Sequence, residues 1–228
     1  MTETLLLALA VIPALIVAIV FHEVAHGWAA LALGDPTAKE QRRLTLNPIR
    51  HVDPFGTVIL PGLLALAGAP VFGWARPVPV SKRRLDNPRV GMMAVAAAGP
   101  GTNFVLAAIG AVALGLVARG ATLPADGLFG FAMVSLQMFI LINIFLALFN
   151  LLPIPPFDGS HIVEGLLPRR AARAYDRLRP LGFPLLFVLL LVIPWLFPGL
   201  GIIEKVVLPP VLWAEARYMA LAAWVAGG

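Results

Sequence analysis

Long apolar runs are the feature that most constrains this chain. The first, Leu5 to Leu33, is interrupted only by Pro13 and a polar cluster. As one helix it would extend about 45 Å, and the hydrocarbon core of a bilayer is roughly 30 Å thick. With 60% apolar and 13% charged residues among 228, the chain has more apolar surface than a soluble domain can bury. The sequence therefore predicts an all-α polytopic membrane protein.

Further apolar stretches bring the prediction to about five to six transmembrane helices. The later spans are Gly91–Val117, Leu128–Leu152 and the shorter Leu181–Phe197. Thr57–Val71 is short, contains Pro61 and has basic segments on both sides, which favours a re-entrant or β-hairpin segment. Val206–Val225 carries Glu215 and Arg217 within its run, so it either crosses the bilayer or lies at its surface.

Basic residues predict the orientation of these spans. In a soluble protein the net charge of +5 would suggest nucleic acid, but here it is a topology signal and no nucleic-acid partner is expected. Fourteen of the 17 basic residues occupy three connections: Lys39, Arg42, Arg43, Arg50, Arg76, Lys82, Arg83, Arg84, Arg89, Arg169, Arg170, Arg173, Arg177 and Arg179. By the positive-inside rule these connections face the cytoplasm, and the N-terminus lies outside. No connection is long enough for a separate soluble domain.

The polar cluster in the first run is an HExxH motif, and the chain has no cysteine to offer a competing thiolate site. On a helix, His22 and His26 share one face with Glu23 beside them, which is typical of zinc hydrolases. The imidazoles would bind the metal, and Glu23 is placed to accept a proton from water. Three ionisable groups in an apolar helix are costly unless something compensates them, which disfavours a chance match.

A catalytic zinc ion needs a third protein ligand. Ala29 and Ala32 exclude the extended HExxHxxGxxH form, and Glu40 lies among basic residues where we expect it to be solvated. The remaining candidates are His51, Asp158, His161 and Glu164. Asp158 is favoured because the Leu128–Leu152 helix ends on the same side of the membrane as HExxH, and three prolines then stiffen the loop that aims its carboxylate. The others stay open as alternatives.

Six segments together resemble a bacterial site-2 protease: FHEVAHGWAA, LGDPTA, LTLNPIRHVDPFGTVILP, FGWARPVPV, AAAGPGTNFVLA and NLLPIPPFDGS. The resemblance covers most of residues 15–165. Helices at about 181–225 would complete a single membrane domain over 1–228. The chain would then be a short form of the family without a PDZ domain. It implies an intramembrane zinc metalloprotease with one Zn²⁺ per chain. Its ligands would be His22, His26 and Asp158, and Glu23 would be the catalytic base.

Two asparagines also match the family pattern: Asn103 follows the Ala-Gly-Pro turn, and Asn150 opens the segment that ends at Asp158. Independently, an asparagine inside an apolar span needs a partner, so both, together with Asn143, should face the bundle interior. The resemblance implies a catalytic role for Asn103 and Asn150, such as donation to the oxyanion formed during hydrolysis. Helix packing is the alternative role.

The resemblance further implies cleavage of single-span membrane protein substrates near the cytoplasmic side of the bacterial inner membrane. A helical substrate must unwind first, and Arg76–Val80, within the segment Pro54–Val80, offers either an edge strand for it or a plug for the bundle. A cation-binding membrane transporter and a catalytically inactive scaffold are the rival functions. Polar groups clustered at one level around Glu23 favour the enzyme over the transporter. Homo-oligomers are compatible with this sequence.

Overall fold

The computed structural model describes residues 2–66, 68, 73–120, 127–197, 199–201 and 203–228. Every regular element within them is helical, which confirms the all-α polytopic class. Four helices in this part of the chain are long and apolar enough to cross a membrane: Leu5–Ala32, Pro88–Arg119, Gly127–Asn150 and Arg169–Leu196. Each overlaps one of the four predicted spans, although Arg169–Leu196 begins twelve residues before the predicted Leu181–Phe197. The total of five to six, and the crossing of Val206–Val225, stay predictions.

The N-terminal half contains two long helices separated by short ones. Its elements are α1 (Thr2–Ala32), α2 (Thr37–Glu40), a 3₁₀-helix (Pro48–His51), a π-helix (Pro54–Ile59), α3 (Leu60–Leu66) and α4 (Pro88–Arg119). The start of α4 is determined locally, because the Asn87 side chain accepts hydrogen bonds from the backbone N–H groups of Arg89 and Val90. Proline at the first helical position lacks an N–H that would otherwise be unpaired.

The C-terminal half is one long helix followed by shorter pieces. These are α5 (Gly127–Asn150), α6 (Asp158–Leu166), α7 (Arg169–Asp176), a 3₁₀-helix (Arg179–Leu181), α8 (Gly182–Phe187), a π-helix (Val188–Val192), α9 (Ile193–Leu196), a π-helix (Ile203–Val207) and α10 (Leu208–Ala226). Proline disrupts helical hydrogen bonding, so α5 ends just before Pro153, Pro155 and Pro156. The chain becomes helical again at Asp158.

The long helices form a bundle in which α1, α4 and α5 contact one another, α10 packs against α4 and α5, and α6 packs against α4. Its largest apolar core joins α4, α5 and α10 through Ala111, Ile140 and Val211, among others. The outer face of α1 is apolar as well, with Leu5 and Leu9 more than half exposed. Such a surface is stable in lipid rather than in water.

The predicted re-entrant or β-hairpin segment is helical in its described first part, over Pro54–Ile59 and Leu60–Leu66. Residues 67 and 69–72 lie outside the described residues. From 73 to 80 the chain has no regular secondary structure, and its Arg76 N–H donates to the His51 carbonyl at 2.8 Å. The described residues contain no strand that could pair with Arg76–Val80, so the edge strand stays a prediction.

Candidate metal centre

Two imidazoles and one carboxylate meet inside the helix bundle. His22 and His26 lie one turn apart on α1, and Asp158 is the first residue of α6. Asp158 Oδ2 lies 3.1 Å from His22 Nε2 and 3.3 Å from His26 Nε2. Within the part of the chain that the structure describes, these three are the side chains that could hold a metal ion together, with ligand atoms all within 4.8 Å of one another. Both imidazoles are buried.

The outer nitrogen of each imidazole is held by a carbonyl oxygen. His26 Nδ1 lies 2.7 Å from the backbone carbonyl of Val95, and His22 Nδ1 lies 2.6 Å from Asn103 Oδ1. A carbonyl oxygen can only accept, so each Nδ1 carries a proton, and in the neutral ring Nε2 is the nitrogen left to bind a metal ion. Two neutral imidazoles and a carboxylate, with their outer nitrogens fixed, form the donor set of a catalytic zinc site. These residues therefore fit Zn²⁺.

Asn103 is fully buried and makes hydrogen bonds with every polar atom of its side chain. Its amide nitrogen donates to the Ala18 carbonyl at 3.1 Å and to Asn143 Oδ1 at 2.9 Å. Both partners are acceptors, which orients Asn103 Oδ1 towards His22. Asn143, also fully buried, donates in turn to the Phe139 carbonyl at 2.8 Å. Both asparagines thus face the bundle interior, and Asn103 contacts a predicted ligand directly.

A glycine creates the space in which the two imidazoles meet. A Cβ atom on Gly99 would lie 2.5 Å from His26 Nε2 and 2.7 Å from His22 Cε1, closer than real Cβ contacts come. The backbone of α4 can therefore approach α1 here only without a side chain. By contrast, a Cβ atom on Gly101 would meet nothing within 4 Å.

Glu23, the predicted base, is half-buried beside the ligands. Its Oε2 accepts a hydrogen bond from the Val78 N–H at 2.8 Å. This contact brings the irregular segment 73–80 against the HExxH turn of α1. Arg43 also contacts this segment, because it donates to the Arg76 carbonyl at 2.8 Å and lies 3.4 Å from the Pro77 carbonyl.

Comparisons with known proteins identify the family of this chain. Residues 129–193 match Peptidase family M50. The chain is 44% identical over 184 residues to a Bacillus subtilis (strain 168) protein named "Putative zinc metalloprotease YwhC", covering 79% of this chain and 78% of that protein. The chain belongs to the M50 family, the site-2 proteases. A Mycolicibacterium smegmatis protein named "Putative zinc metalloprotease Rip2" is 31% identical over 192 residues, covering 82% and 70% of the two chains. No solved structure matches.

Two of the other candidate ligands of this M50 chain have partners elsewhere. Glu40 pairs with Arg84, at 2.6 Å between Oε2 and Nη1. His51 is buried and its Nε2 donates to the Thr45 carbonyl at 2.8 Å. Neither belongs to the group of potential metal ligands found among the described residues.

The remaining candidates, His161 and Glu164, form a separate charged cluster on α6. The two ring nitrogens of His161 lie 2.8 and 3.0 Å from guanidinium nitrogens of Arg179. Burial and the charge of Arg179 lower the pKa of His161 to about 4. Glu164 accepts hydrogen bonds from Lys82 at 2.7 Å and from Arg179. Burial alone would raise the pKa of Glu164, but these two cations hold that pKa below its ordinary value.

Asn150 lies at the last turn of α5, where its amide nitrogen donates to the Leu146 carbonyl at 2.9 Å. Its catalytic role stays a prediction. Sequence reasoning missed the Val95 carbonyl and the Val78 N–H, because backbone groups of any residue type can occupy such positions. Gly99 did carry a signal, since it stands four residues before Asn103 in the same apolar helix.

Proposed function

We propose that this membrane metalloprotease is an intramembrane enzyme that cleaves transmembrane protein substrates near the cytoplasmic side of the bacterial inner membrane. One observation carries the proposal. The Nε2 atoms of His22 and His26 converge with Asp158 Oδ2 inside a bundle of spanning helices, and Glu23 lies on the same turn. Buried ionisable groups within apolar spanning helices are costly unless they serve a site.

One Zn²⁺ per chain, held by His22, His26 and Asp158, fits this donor set. When bound, zinc supplies Lewis-acid chemistry that activates water and polarises a peptide carbonyl. Glu23 accepts the proton of the attacking water and returns it to the leaving amine. Asn103 holds His22 in the tautomer whose Nε2 is free to bind metal, as the Val95 carbonyl does for His26.

Substrates reach this centre through the bilayer, and a helical substrate must unwind before a peptide carbonyl is accessible. The irregular segment 73–80 is the place we propose for an extended substrate, because it passes directly beside Glu23. Its Val78 N–H already donates to Glu23. A peptide pairing at Val78 would compete for that N–H and free the Glu23 carboxylate for its role as base.

The test uses the full chain, purified in detergent with zinc present and reconstituted with a single-span substrate. We expect about one zinc ion per wild-type chain and cleavage of the substrate. Glu23→Gln should keep its zinc and cleave about 10²- to 10⁴-fold more slowly, since the ligands remain but proton transfer is lost. Asp158→Ala should lose zinc. Glu204→Gln, at an exposed position, is the matched control and should behave as wild type.

Three outcomes would contradict this assignment. Wild-type protein without zinc after metal-replete purification would overturn the metalloprotease. Full zinc retention in Asp158→Ala would move the third ligand to His161 or Glu164. Cation transport that survives Glu23→Gln, without any cleavage by the wild type, would favour the transporter.

A further inference from the structure

A cleft of about 340 Å³ lies on the basic connection that follows α1, apart from the metal centre. Its lining consists of Gln41, Arg43, Ile49, Arg50, Val52 and Arg76. Half of these side chains are arginines and none is acidic. Such a concentration of positive charge around a concave surface favours an anionic ligand.

The innermost of these arginines has a donor without an acceptor. Arg43 is only 7% exposed, and its Nη2 donates to the Arg76 and Pro77 carbonyls. Its Nε is buried and has no hydrogen-bond partner among the described residues. A buried N–H of a charged group is costly to leave unpaired. An oxyanion bound against this guanidinium would offer it a further acceptor.

The electrostatics of Arg43 also favour an anionic ligand. Burial and the charges of Arg76 and Arg50 lower the pKa of Arg43, whereas the negative charge of Glu23 raises it. Glu23 accepts from the Val78 N–H rather than from any of these arginines. The three guanidinium groups therefore repel one another until a counter-ion joins them.

Part of the cleft lining is apolar. Ile49 is 77% exposed and Val52 is 39% exposed, and both line the cleft. A free inorganic ion gains nothing from apolar neighbours. A phospholipid matches both parts of the cleft, because its phosphate would contact the arginines while its acyl chains cover Ile49 and Val52. The basic connections are also the ones that the positive-inside rule assigns to the cytoplasmic leaflet, where anionic lipids are concentrated.

We propose that Arg43, Arg50 and Arg76 bind the headgroup phosphate of an anionic phospholipid. A lipid bound here would act on the proposed protease through the segment beside Glu23. Arg43 holds the carbonyls of Arg76 and Pro77, and the next residue, Val78, donates to Glu23. A bound phosphate thus steadies the segment that contacts the catalytic base.

The chain offers a matched control. A second cleft, of about 320 Å³, is lined by Arg170, Arg173, Ala174 and Arg177. These arginines are solvent-accessible, and none has a buried unpaired nitrogen among the described residues. Non-specific attraction to an anionic surface should involve both groups of arginines. A specific binding site in the first cleft should involve only the arginines that line it.

The experiment measures lipid bound to the purified, zinc-replete chain by native mass spectrometry. Phosphatidylglycerol is titrated against net-neutral phosphatidylcholine, with wild type, Arg50→Gln/Arg76→Gln and Arg170→Gln/Arg173→Gln. Each arginine near a lipid headgroup is expected to contribute about fivefold, so the first double variant should bind phosphatidylglycerol about 25-fold more weakly. The control double variant, with the same loss of charge, should bind like wild type. Arg43→Lys, which keeps the charge but lacks Nε, should also weaken binding.

Equal weakening in both double variants would overturn the proposal in favour of diffuse attraction, and so would equal binding in all variants. Inorganic phosphate is titrated in parallel. If it binds the cleft as tightly as phosphatidylglycerol does, the ligand is a free anion and the lipid assignment fails. Zinc content is measured on the same samples, so failure of the lipid site is distinguishable from failure of the protease assignment.

Discussion

The two ends of α6 carry the same kind of side chain in opposite settings. Asp158 at its start meets two imidazoles whose outer nitrogens donate to carbonyl oxygens. Glu164, near its other end, contacts Lys82 and Arg179. A carboxylate matched by permanently cationic side chains needs nothing further, whereas one that faces imidazoles, which bind metal in their neutral form, is suited to a divalent metal ion. The partner groups, rather than the residue type, distinguish the two.

The histidines differ for the same reason. His22 and His26 direct one nitrogen to a carbonyl and the other to a carboxylate. Both ring nitrogens of His161 face the Arg179 guanidinium. The charge of this guanidinium disfavours protonation of the imidazole. An imidazole whose nitrogens both lie against a guanidinium has no lone pair directed at the metal centre.

The largest expected effect separates the two carboxylates of α6. Asp158→Asn should weaken zinc binding by more than about 100-fold, since loss of a ligand exceeds the effect of losing an outer hydrogen-bond partner. Glu164→Gln should leave zinc affinity unchanged. Competition with a chelator of known affinity measures both. Equal losses in the two variants would mean that the clusters are not independent.

The next prediction concerns the space around the imidazoles. Gly99→Ala should weaken zinc binding about 10- to 100-fold, because its Cβ would displace His26 Nε2 and His22 Cε1 from their positions. Gly101→Ala, which would meet nothing within 4 Å, should bind zinc as wild type does. The same chelator assay applies, and normal zinc affinity in Gly99→Ala would show that the helices can separate there without cost.

A smaller effect is expected from the asparagines, and it separates their two roles. Asn103→Ala removes the acceptor for His22 Nδ1, so zinc affinity should fall about tenfold. Asn150→Ala should leave zinc affinity unchanged, since its amide donates to Leu146. Cleavage rates measured at saturating zinc then report on the predicted catalytic role of each. Slow cleavage by zinc-saturated Asn150→Ala would support that role, and wild-type cleavage would contradict it.

The smallest effect is a pH dependence of stability from His161. Its pKa is about 4 in the folded chain and about 6.5 when unfolded, so the unfolded chain binds more protons between those values. Stability should therefore fall as pH falls from about 6.5 to about 4. His161→Gln should reduce the decrease in Tm between pH 7 and pH 5 by a few degrees, measured in detergent at constant zinc. An identical decrease in both proteins would assign it to other groups.

The long spans could be predicted because each is an uninterrupted apolar run whose length alone is informative. The convergence of Asp158 with the HExxH turn was also predictable, since topology and three prolines limit where its loop can go. The helical conformation of Leu60–Leu66 was not predicted, because a short apolar run with proline and glycine is compatible with several structures. The Val78 contact with Glu23 had no sequence signal, because any residue supplies a backbone N–H.

By itself the sequence determined that this chain resides in a membrane, and that it carries an HExxH turn within its first span and a carboxylate after its third long span. Those properties depend on residue type and spacing, which are local. The tertiary structure decided which groups surround each ionisable side chain: carbonyls behind His22 and His26, cations around Glu164, and an unpaired nitrogen on Arg43. Such environments arise from residues distant along the chain, so only folding brings them together.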